Sequence, residues 1–392
     1  MHACSFPYSA RDCPRFLSLV CQRLPVVPEF ASTEPKQVSG VGMTVFRSIA
    51  LTFFAITLAS SGAAAQTRQD GDFVVKDFTF HDGSKLAALS LHYTTLGDPK
   101  SPAVLVLHGT SGNGASLLSP DFGGQLFGPG QPLDAGKYFI ILPDMIGTGK
   151  SSKPSDGLKM QFPRYNYDDT VSATHRLLTE GLKVKHLRLV MGNSMGGMLT
   201  WVWGEAYPDF MDGLVPLAAT PAAMSGRNWI MRRMYIETIK SDSAWNGGNY
   251  TSQPKSLKFA NAFFGFGTSG GNLGLQKRAP TRVAGDRLVE AQLAATSTAD
   301  ANDTIYQFDA SRDYDPSPKL ASITAPLLAI TSADDERNPH ETGLLEKGVA
   351  QVKNGQSFLI PASDDTRGHG TTGMAKLWKD RLVKFLAGLP AP

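Results

Sequence analysis

The residues best able to do chemistry surround Ser194. The apolar run 187–191 predicts a buried strand, Gly192-Asn193-Ser194-Met195-Gly196 predicts a tight turn, and 197–202 predicts the start of a helix. A Gly-x-Ser-x-Gly turn between strand and helix is typical of a nucleophilic serine, because the glycines allow the sharp bend that exposes the hydroxyl at a helix N-terminus. An ordinary strand-to-helix turn is the alternative. We predict that Ser194 is a nucleophile.

A serine nucleophile needs a base, and the base needs an orienting acid; after such a turn they follow in the order serine, acid, histidine. Of the eight histidines, His340 and His369 come late enough in the chain. His340 opens a predicted helix, where capping or solvation is the expected role. His369 lies in a glycine-containing loop between a predicted strand and the final helix. We predict that His369 is the base.

The acid is expected in the loop 332–339, which follows the predicted strand 326–331. Asp334 and Asp335 both stand just past the strand end, from where a carboxylate can reach an imidazole. A solvated loop or a weak cation site are the alternatives, although three acids without a glycine-turned ligand loop make a poor calcium motif. We therefore expect no metal and no cofactor.

Attack by Ser194 on an acyl carbon would leave an oxyanion that needs hydrogen-bond donors already in place. The N–H of Met195, directly after the serine, is one expected donor. The other should come from the loop after the apolar run 103–107, and we place it at Thr110. His108, in the same loop, is expected to brace it.

These residues require a scaffold of alternating strands and helices. Apolar or alternating runs predict strands at 73–80, 86–94, 103–107, 138–142, 187–191, 213–217, 326–331 and 356–359, with helices at 167–182 and 374–386. This alternation predicts an α/β fold with a doubly wound, mostly parallel sheet. The core would comprise residues 66–221 and 311–392. Residues 222–310 break the rhythm with clustered Met, Trp and Phe, and we expect a helical lid over the carboxyl edge of the sheet.

Several motifs together resemble the α/β-hydrolase fold across residues 73–392. They are the elbow at Ser194, the acid loop, Gly368-His369, His108-Gly109 and Asp144-x-x-Gly147-x-Gly149-x-Ser151. Finer features are similar to the homoserine O-acetyltransferase branch, including Ile239-x-x-Asp242-x-x-Trp245 in the lid and Asp335-x-x-x-Pro339. The second of these motifs implies that Asp335, rather than Asp334, is the acid.

Two departures from that branch bear on substrate. Ile236 stands where the family's lid motif has Arg, and Gly370 stands where the acetyltransferases have Asp after the histidine. An Asp at position 370 could hold an amino group, so these changes argue against a homoserine pocket. Arg232 or Arg233, one helical turn earlier, could still supply charge. The apolar side chains of the lid suggest a pocket for a hydrophobic acyl or alcohol group.

The front of the chain has the pattern of a secretory signal at 43–65, with a short positive start, an apolar core and Ala63-x-Ala65 before Gln66. Residues 1–42 precede it, and we interpret them as a disordered extension from a start codon assigned too early. The three cysteines, Cys4, Cys13 and Cys21, all lie there, so the mature chain would have no disulfide. We expect a periplasmic or secreted protein.

The sequence thus predicts an exported serine hydrolase that cleaves an ester or related acyl bond through an acyl-enzyme. An acyltransferase related to homoserine O-acetyltransferase is the alternative, and a catalytically inactive binding protein is a third hypothesis. The formal charge of +3 is too small to indicate a nucleic-acid or membrane partner, so we expect a small ester or acyl substrate. A homodimer is compatible with the sequence.

Protein expressed from Met43 in a Gram-negative host should be exported and begin at Gln66, because signal peptidase cleaves after small residues. Cell fractionation followed by N-terminal sequencing checks this. Mature, active protein that begins at Met1 would contradict both the start site and the location.

Overall fold

The structure is a computed structural model that describes residues 68–390. The predicted extension at 1–42, the signal at 43–65 and the three cysteines lie outside the described residues.

One eight-stranded sheet forms the centre of the described chain, in the order β1-β2-β4-β3-β5-β6-β7-β8. Strand β2 pairs antiparallel with β1 and with β4, and all other neighbours pair in parallel. The predicted α/β class with a mostly parallel sheet is confirmed. The strands are β1 (Gln69–Thr79), β2 (Lys85–Leu96), β3 (Ala103–Leu107), β4 (Phe139–Pro143), β5 (Leu187–Asn193), β6 (Leu214–Leu217), β7 (Leu327–Ser332) and β8 (Gly355–Ile360).

The central strands are apolar throughout because both faces of the sheet are covered. In β3, Leu105 and Leu107 face one apolar core, while Val104 and Val106 face the other. Each of these four side chains is fully buried. Helices therefore pack on both faces of the sheet and hold the ends of its strands in place.

Within residues 68–390, ten α-helices cover the sheet or extend from it. They are α1 (Gly123–Leu126), α2 (Tyr167–Arg176), α3 (Met195–Ala206), α4 (Gly226–Lys240), α5 (Lys255–Thr268), α6 (Asn272–Arg278), α7 (Arg282–Ala294), α8 (Ala301–Asp309), α9 (Leu344–Val349) and α10 (Lys379–Ala387). Helices α4 to α8 follow one another between β6 and β7, where the sequence predicts the lid. We call residues 226–309 the lid.

Two predicted helices differ from the observed ones. The α-helical part of α2 ends at Arg176, because the chain then widens into a π-type turn in which Leu182 N donates to Leu177 O. The final helix begins at Lys379 rather than at Met374. The preceding residues form short 3₁₀ turns, and the indole N–H of Trp378 donates to Thr372 O at 2.9 Å, which folds that segment back.

The lid has a small apolar core of its own, formed where α4, α5 and α8 meet. Tyr235, Phe264 and Phe308 pack there as contacting rings, and Ile236 lies buried among them. Position 236, where the resemblance expects Arg, therefore faces the interior of the lid. Other large lid side chains, such as Met234 and Phe263, are more than half exposed.

Truncating Leu382 in α10 tests how much the apolar core on the Val104 and Val106 side of the sheet stabilises the fold. Leu382→Ala should lower the free energy of unfolding by about 2–5 kcal/mol, because the side chain is fully buried and its removal leaves a cavity. Val383→Ala on the same helix is the control, since Val383 is 48% exposed. Urea denaturation measures both, and equal losses for the two variants would contradict the assigned packing.

Candidate active site

Ser194 lies in a strained turn between β5 and α3. Its backbone has φ 58° and ψ −110°, a region that residues with a side chain rarely adopt. The turn is held by Ser194 N, which donates to Leu217 O at 2.9 Å, and by Met198 N, which donates to Ser194 O at 2.9 Å. The turn is followed at once by the first turn of α3.

Two glycines make this turn possible. A Cβ at Gly192 would lie 2.4 Å from the carbonyl carbon of Gly196, and a Cβ at Gly196 would lie 2.1 Å from Leu107 O. Both distances are far below van der Waals contact, so neither position accepts a side chain without moving backbone. The pattern read in the sequence thus reflects close packing of β3, β5 and α3.

His369 and Asp335 line up behind the serine. His369 Nε2 lies 2.7 Å from Ser194 Oγ, and Nδ1 lies 2.9 and 3.0 Å from the two carboxylate oxygens of Asp335. All three side chains are buried. They come from loops after β5, β7 and β8, so the parallel strands bring them together at one edge of the sheet. This arrangement can draw a proton from Ser194 onto the imidazole.

Asp334 has a different place from Asp335. It accepts hydrogen bonds from Thr366 Oγ1 at 2.7 Å and from Gly368 N at 3.2 Å, and also contacts Ser332 Oγ. These contacts hold the loop that carries the histidine. The structure therefore places Asp335, and not Asp334, against the ring of His369.

Asp335 is itself fixed by its own loop. Its Oδ1 accepts from Arg337 N at 2.8 Å and Asn338 N at 3.1 Å, and its Oδ2 accepts from Asn338 Nδ2 at 3.0 Å. Burial opposes ionisation, but the charge of His369 and these hydrogen bonds keep the pKa of Asp335 below its usual value. Asn338 was not identified from the sequence, where it stands inside a motif noted only for Asp335 and Pro339.

Burial also sets the pKa of His369. Removal from water lowers it, the positive charges of Arg337 and Arg232 lower it further, and the charge of Asp335 opposes them. The imidazole is therefore neutral at neutral pH, with Nδ1–H on Asp335 and Nε2 free to accept from Ser194. That is the protonation state a base requires.

The two expected oxyanion donors belong to helix α3 and to the loop after β3. Met195 is the first residue of α3, so its N–H has no acceptor within the helix. Thr110 lies in the loop after β3, next to Gly109, whose Cβ position would be 3.5 Å from Cβ of Ser194. Thr110 Oγ1 accepts from Arg232 Nη2 at 3.3 Å, so a lid residue reaches this loop. No pattern in the sequence separates Arg232 from its neighbour Arg233.

His108 braces the same loop from below. Its Nδ1 donates to Gly109 O at 2.8 Å, and its Nε2 accepts from Met145 N at 3.2 Å. Complete burial lowers the pKa of His108, which agrees with a neutral ring in this pair of contacts. Both of these hydrogen bonds are to backbone groups, and neither involves Ser194.

The acid loop also attaches the lid to the histidine. Glu336 accepts from His369 N at 3.0 Å and from Gly271 N of the lid at 2.8 Å. Arg337 donates to Thr268 O at 3.2 Å and to Ser269 Oγ at 3.1 Å. The position of the lid and that of His369 are therefore coupled through one short segment.

Two cavities flank the site. The larger, about 750 Å³, borders the loop after β3 and is lined mainly by polar side chains, among them Ser111, Asn113, Lys150, Lys258 and Asp303. The smaller, about 280 Å³, lies against Gly370, Phe266 and Ala262. The expected apolar pocket for the substrate stays a prediction, and several large apolar lid side chains face outward. Ser194 and His369 line neither cavity.

Within residues 68–390, no group of three or more His, Cys, Asp or Glu side chains is placed to hold a metal ion. In the same part of the chain, no helix has the length and apolar character needed to cross a membrane.

Comparison with known proteins identifies relatives of two activities. The family model for the alpha/beta hydrolase fold matches residues 102–347. A homoserine O-acetyltransferase of Thermobifida fusca is 35% identical over 189 residues, which is 44% of this chain and 49% of that protein. An ethyl acetate hydrolase of Pseudomonas veronii is 36% identical over 172 residues, or 43% of this chain and 47% of that protein.

The match to these curated relatives spans only about half of their length. Among solved structures, homoserine O-acetyltransferase from Bacillus anthracis superposes with a TM-score of 0.73 at 22% identity, covering 83% of this chain and all of that one. The expected resemblance to the homoserine O-acetyltransferase branch is confirmed, and an esterase stands among the same relatives.

The pH dependence of Ser194 reactivity with a fluorophosphonate probe tests the arrangement. Labelling should rise with pH as His369 loses its proton, with a midpoint below the ordinary histidine value of 6.5 because burial and nearby cations lower the pKa. Asp335→Asn removes the negative charge that opposes this shift, so the midpoint should fall further while the maximal rate drops about 10⁴-fold.

Asp334→Asn is the matched control and should keep the wild-type midpoint, since Asp334 does not contact the ring. Were Asp334→Asn to move the midpoint and Asp335→Asn to leave it unchanged, the acid would be Asp334.

Proposed function

The chain belongs to the alpha/beta hydrolase fold family, and from that premise we propose that it is a serine hydrolase that cleaves a carboxylic ester or a related acyl bond. The observation that carries the proposal is the continuous hydrogen-bonded series from Ser194 through His369 to Asp335. The strained backbone at Ser194 costs stability, and such strain is concentrated at active sites. It therefore favours a catalytic role for this buried series over a structural one.

In the proposed reaction, Ser194 Oγ attacks the acyl carbon while His369 Nε2 takes its proton. Asp335 stabilises the imidazolium, and the amides of Met195 and Thr110 hold the oxyanion. His369 then gives the proton to the leaving alcohol, and an acyl-enzyme remains on Ser194. Water, activated by the same histidine, attacks the acyl carbon and releases the acid.

Acyl transfer is the second candidate, because several relatives are named homoserine O-acetyltransferase. The same residues would serve, with an alcohol in place of water. Gly370 weighs against homoserine as that alcohol, since position 370 borders a cavity but has no side chain to pair with an ammonium group. Ile236 is weak evidence for or against homoserine as the acceptor, because its side chain is buried in the lid core. Hydrolysis therefore remains the first proposal.

We also propose that the enzyme works outside the cytoplasm. This rests on the signal-like segment at 43–65. An exported enzyme would lack acetyl-CoA as an acyl donor, which again favours water as the acceptor.

Hydrolysis and transfer are separated by assaying acid release with and without an acceptor. Wild-type protein should release free acid from small alkyl and aryl esters with no acceptor present, and millimolar homoserine should leave the turnover unchanged. Ser194→Ala should lower kcat about 10⁴-fold or more without unfolding the protein, because it removes the nucleophile.

The appearance of O-acylhomoserine by mass spectrometry, together with faster deacylation, would establish the transferase instead. A protein that neither labels with a fluorophosphonate nor turns over any ester would support the third hypothesis, an inactive binding protein.

A further inference from the structure

Two arginine side chains lie beside the proposed active site, and one of them is fully buried. Arg232, on α4, is fully buried, and its Nε donates to Asn228 Oδ1 at 2.9 Å while Nη2 reaches Thr110 Oγ1. Arg337, in the acid loop, donates to Thr268 and Ser269 at the end of α5. Each guanidinium lies over an aromatic ring of the lid core, Arg232 at 5.3 Å from the ring centre of Phe308 and Arg337 at 4.4 Å from that of Phe264.

Neither guanidinium forms an ion pair with a carboxylate among residues 68–390. Burial lowers the pKa of Arg232, and it lowers that of Arg337 to about 9. A buried charge without a partner costs several kcal/mol, so proteins normally pair such groups. Arg233, the next residue on α4, follows the usual pattern: it is exposed and pairs with Glu237 at 2.6 Å.

The other contacts of Arg232 are with neutral groups. Its Nη1 and the hydroxyl of Tyr167 are both buried without another hydrogen-bond partner, and their mutual interaction raises the pKa of Arg232 against the effect of burial. A neutral amide could hold Thr110 Oγ1 equally well, so that contact does not require a charge. The uncompensated positive charge of Arg232 indicates that an anion completes the site.

The location limits what that anion can be. Arg232 contacts Thr110, and the loop of Thr110 approaches Ser194 through Gly109. An anion bound at Arg232 would therefore sit a few bonds from the acyl carbon that Ser194 attacks. Arg337 adds positive charge from the acid loop on the side of His369.

We infer that Arg232, supported by the charge of Arg337, forms a subsite for a carboxylate carried by the ester substrate. The inference rests on the proposed ester hydrolysis by Ser194. It assigns the substrate class as short esters that bear a negative charge near the scissile bond.

Pairs of isosteric esters test the inference on the wild-type protein. Monoethyl succinate against ethyl succinamate places the charge on the acyl side, and acetoxyacetate against acetoxyacetamide places it on the alcohol side. In one of these pairs the carboxylate should be preferred about 10- to 100-fold in kcat/KM, mostly through KM, because a charge-assisted hydrogen bond replaces a neutral one. The preferred pair identifies the side of the ester that Arg232 contacts.

Variants locate the effect. Arg232→Met should abolish the preference within the pair, whatever its absolute activity, and Arg232→Lys should keep part of it. Arg233→Met is the matched control, on the same helix and with the same loss of charge, and should keep the wild-type ratio.

Failure of this inference differs from failure of the proposed function. Hydrolysis of ethyl butyrate with no carboxylate preference in either pair would overturn the subsite and leave the hydrolase proposal standing. Loss of the preference in Arg233→Met but not in Arg232→Met would overturn it as well. No hydrolysis of any ester would refute the hydrolase proposal itself.

Discussion

The site depends on the close approach of two backbone segments, the carboxyl end of β3 and the first turn of α3. The Cα of Gly196 comes so near Leu107 O that a Cβ there would be 2.1 Å from it. Only glycine permits this contact, and the contact holds the loop of Thr110 against the turn of Ser194. Local strain at Ser194 persists because the surrounding sheet, buried on both faces, does not yield to it. Ser194 and the loop of Thr110 are thus positioned by one packing constraint.

A second constraint comes from the segment 334–338, in which each residue has a different task. Asp334 fixes the loop of the histidine, Asp335 contacts its ring, and Glu336 joins its backbone to the lid. Arg337 extends the same network to the end of α5. Asn338 extends it to the backbone just after β6 and to Asp335 itself. Because one short loop holds both base and lid, displacement of the lid would disturb the base. Access to the buried serine is therefore linked to the geometry of the proton transfer.

Much of this was predictable from the sequence, because it depends on local patterns. Apolar or alternating runs located the eight strands of the described sheet. Residue type and position pointed to Ser194, His369 and the acid loop, and the resemblance to the homoserine O-acetyltransferase branch selected Asp335 over Asp334. Contacts that depend on packing were not predictable. Nothing in the sequence distinguishes Phe263, which is exposed, from Phe264, which is buried, or Arg233 from Arg232. These differences depend on which face of α4 and of α5 packs against the rest of the lid, and that choice is made by tertiary contacts.

The charges around His369 connect the chemistry to the choice of substrate. The charges of Arg337 and Arg232 disfavour a protonated imidazole, which keeps His369 neutral and ready to accept the proton of Ser194. The same cations would oppose the imidazolium that forms when the proton arrives. A negative charge entering with the substrate would offset them, raise the pKa of His369 and make the proton transfer more favourable. The energy of binding an anion would then act in the chemical step and not only in holding the substrate. Without such an anion, the transient oxyanion and the carboxylates of Asp335 and Glu336 would have to balance the two guanidinium groups.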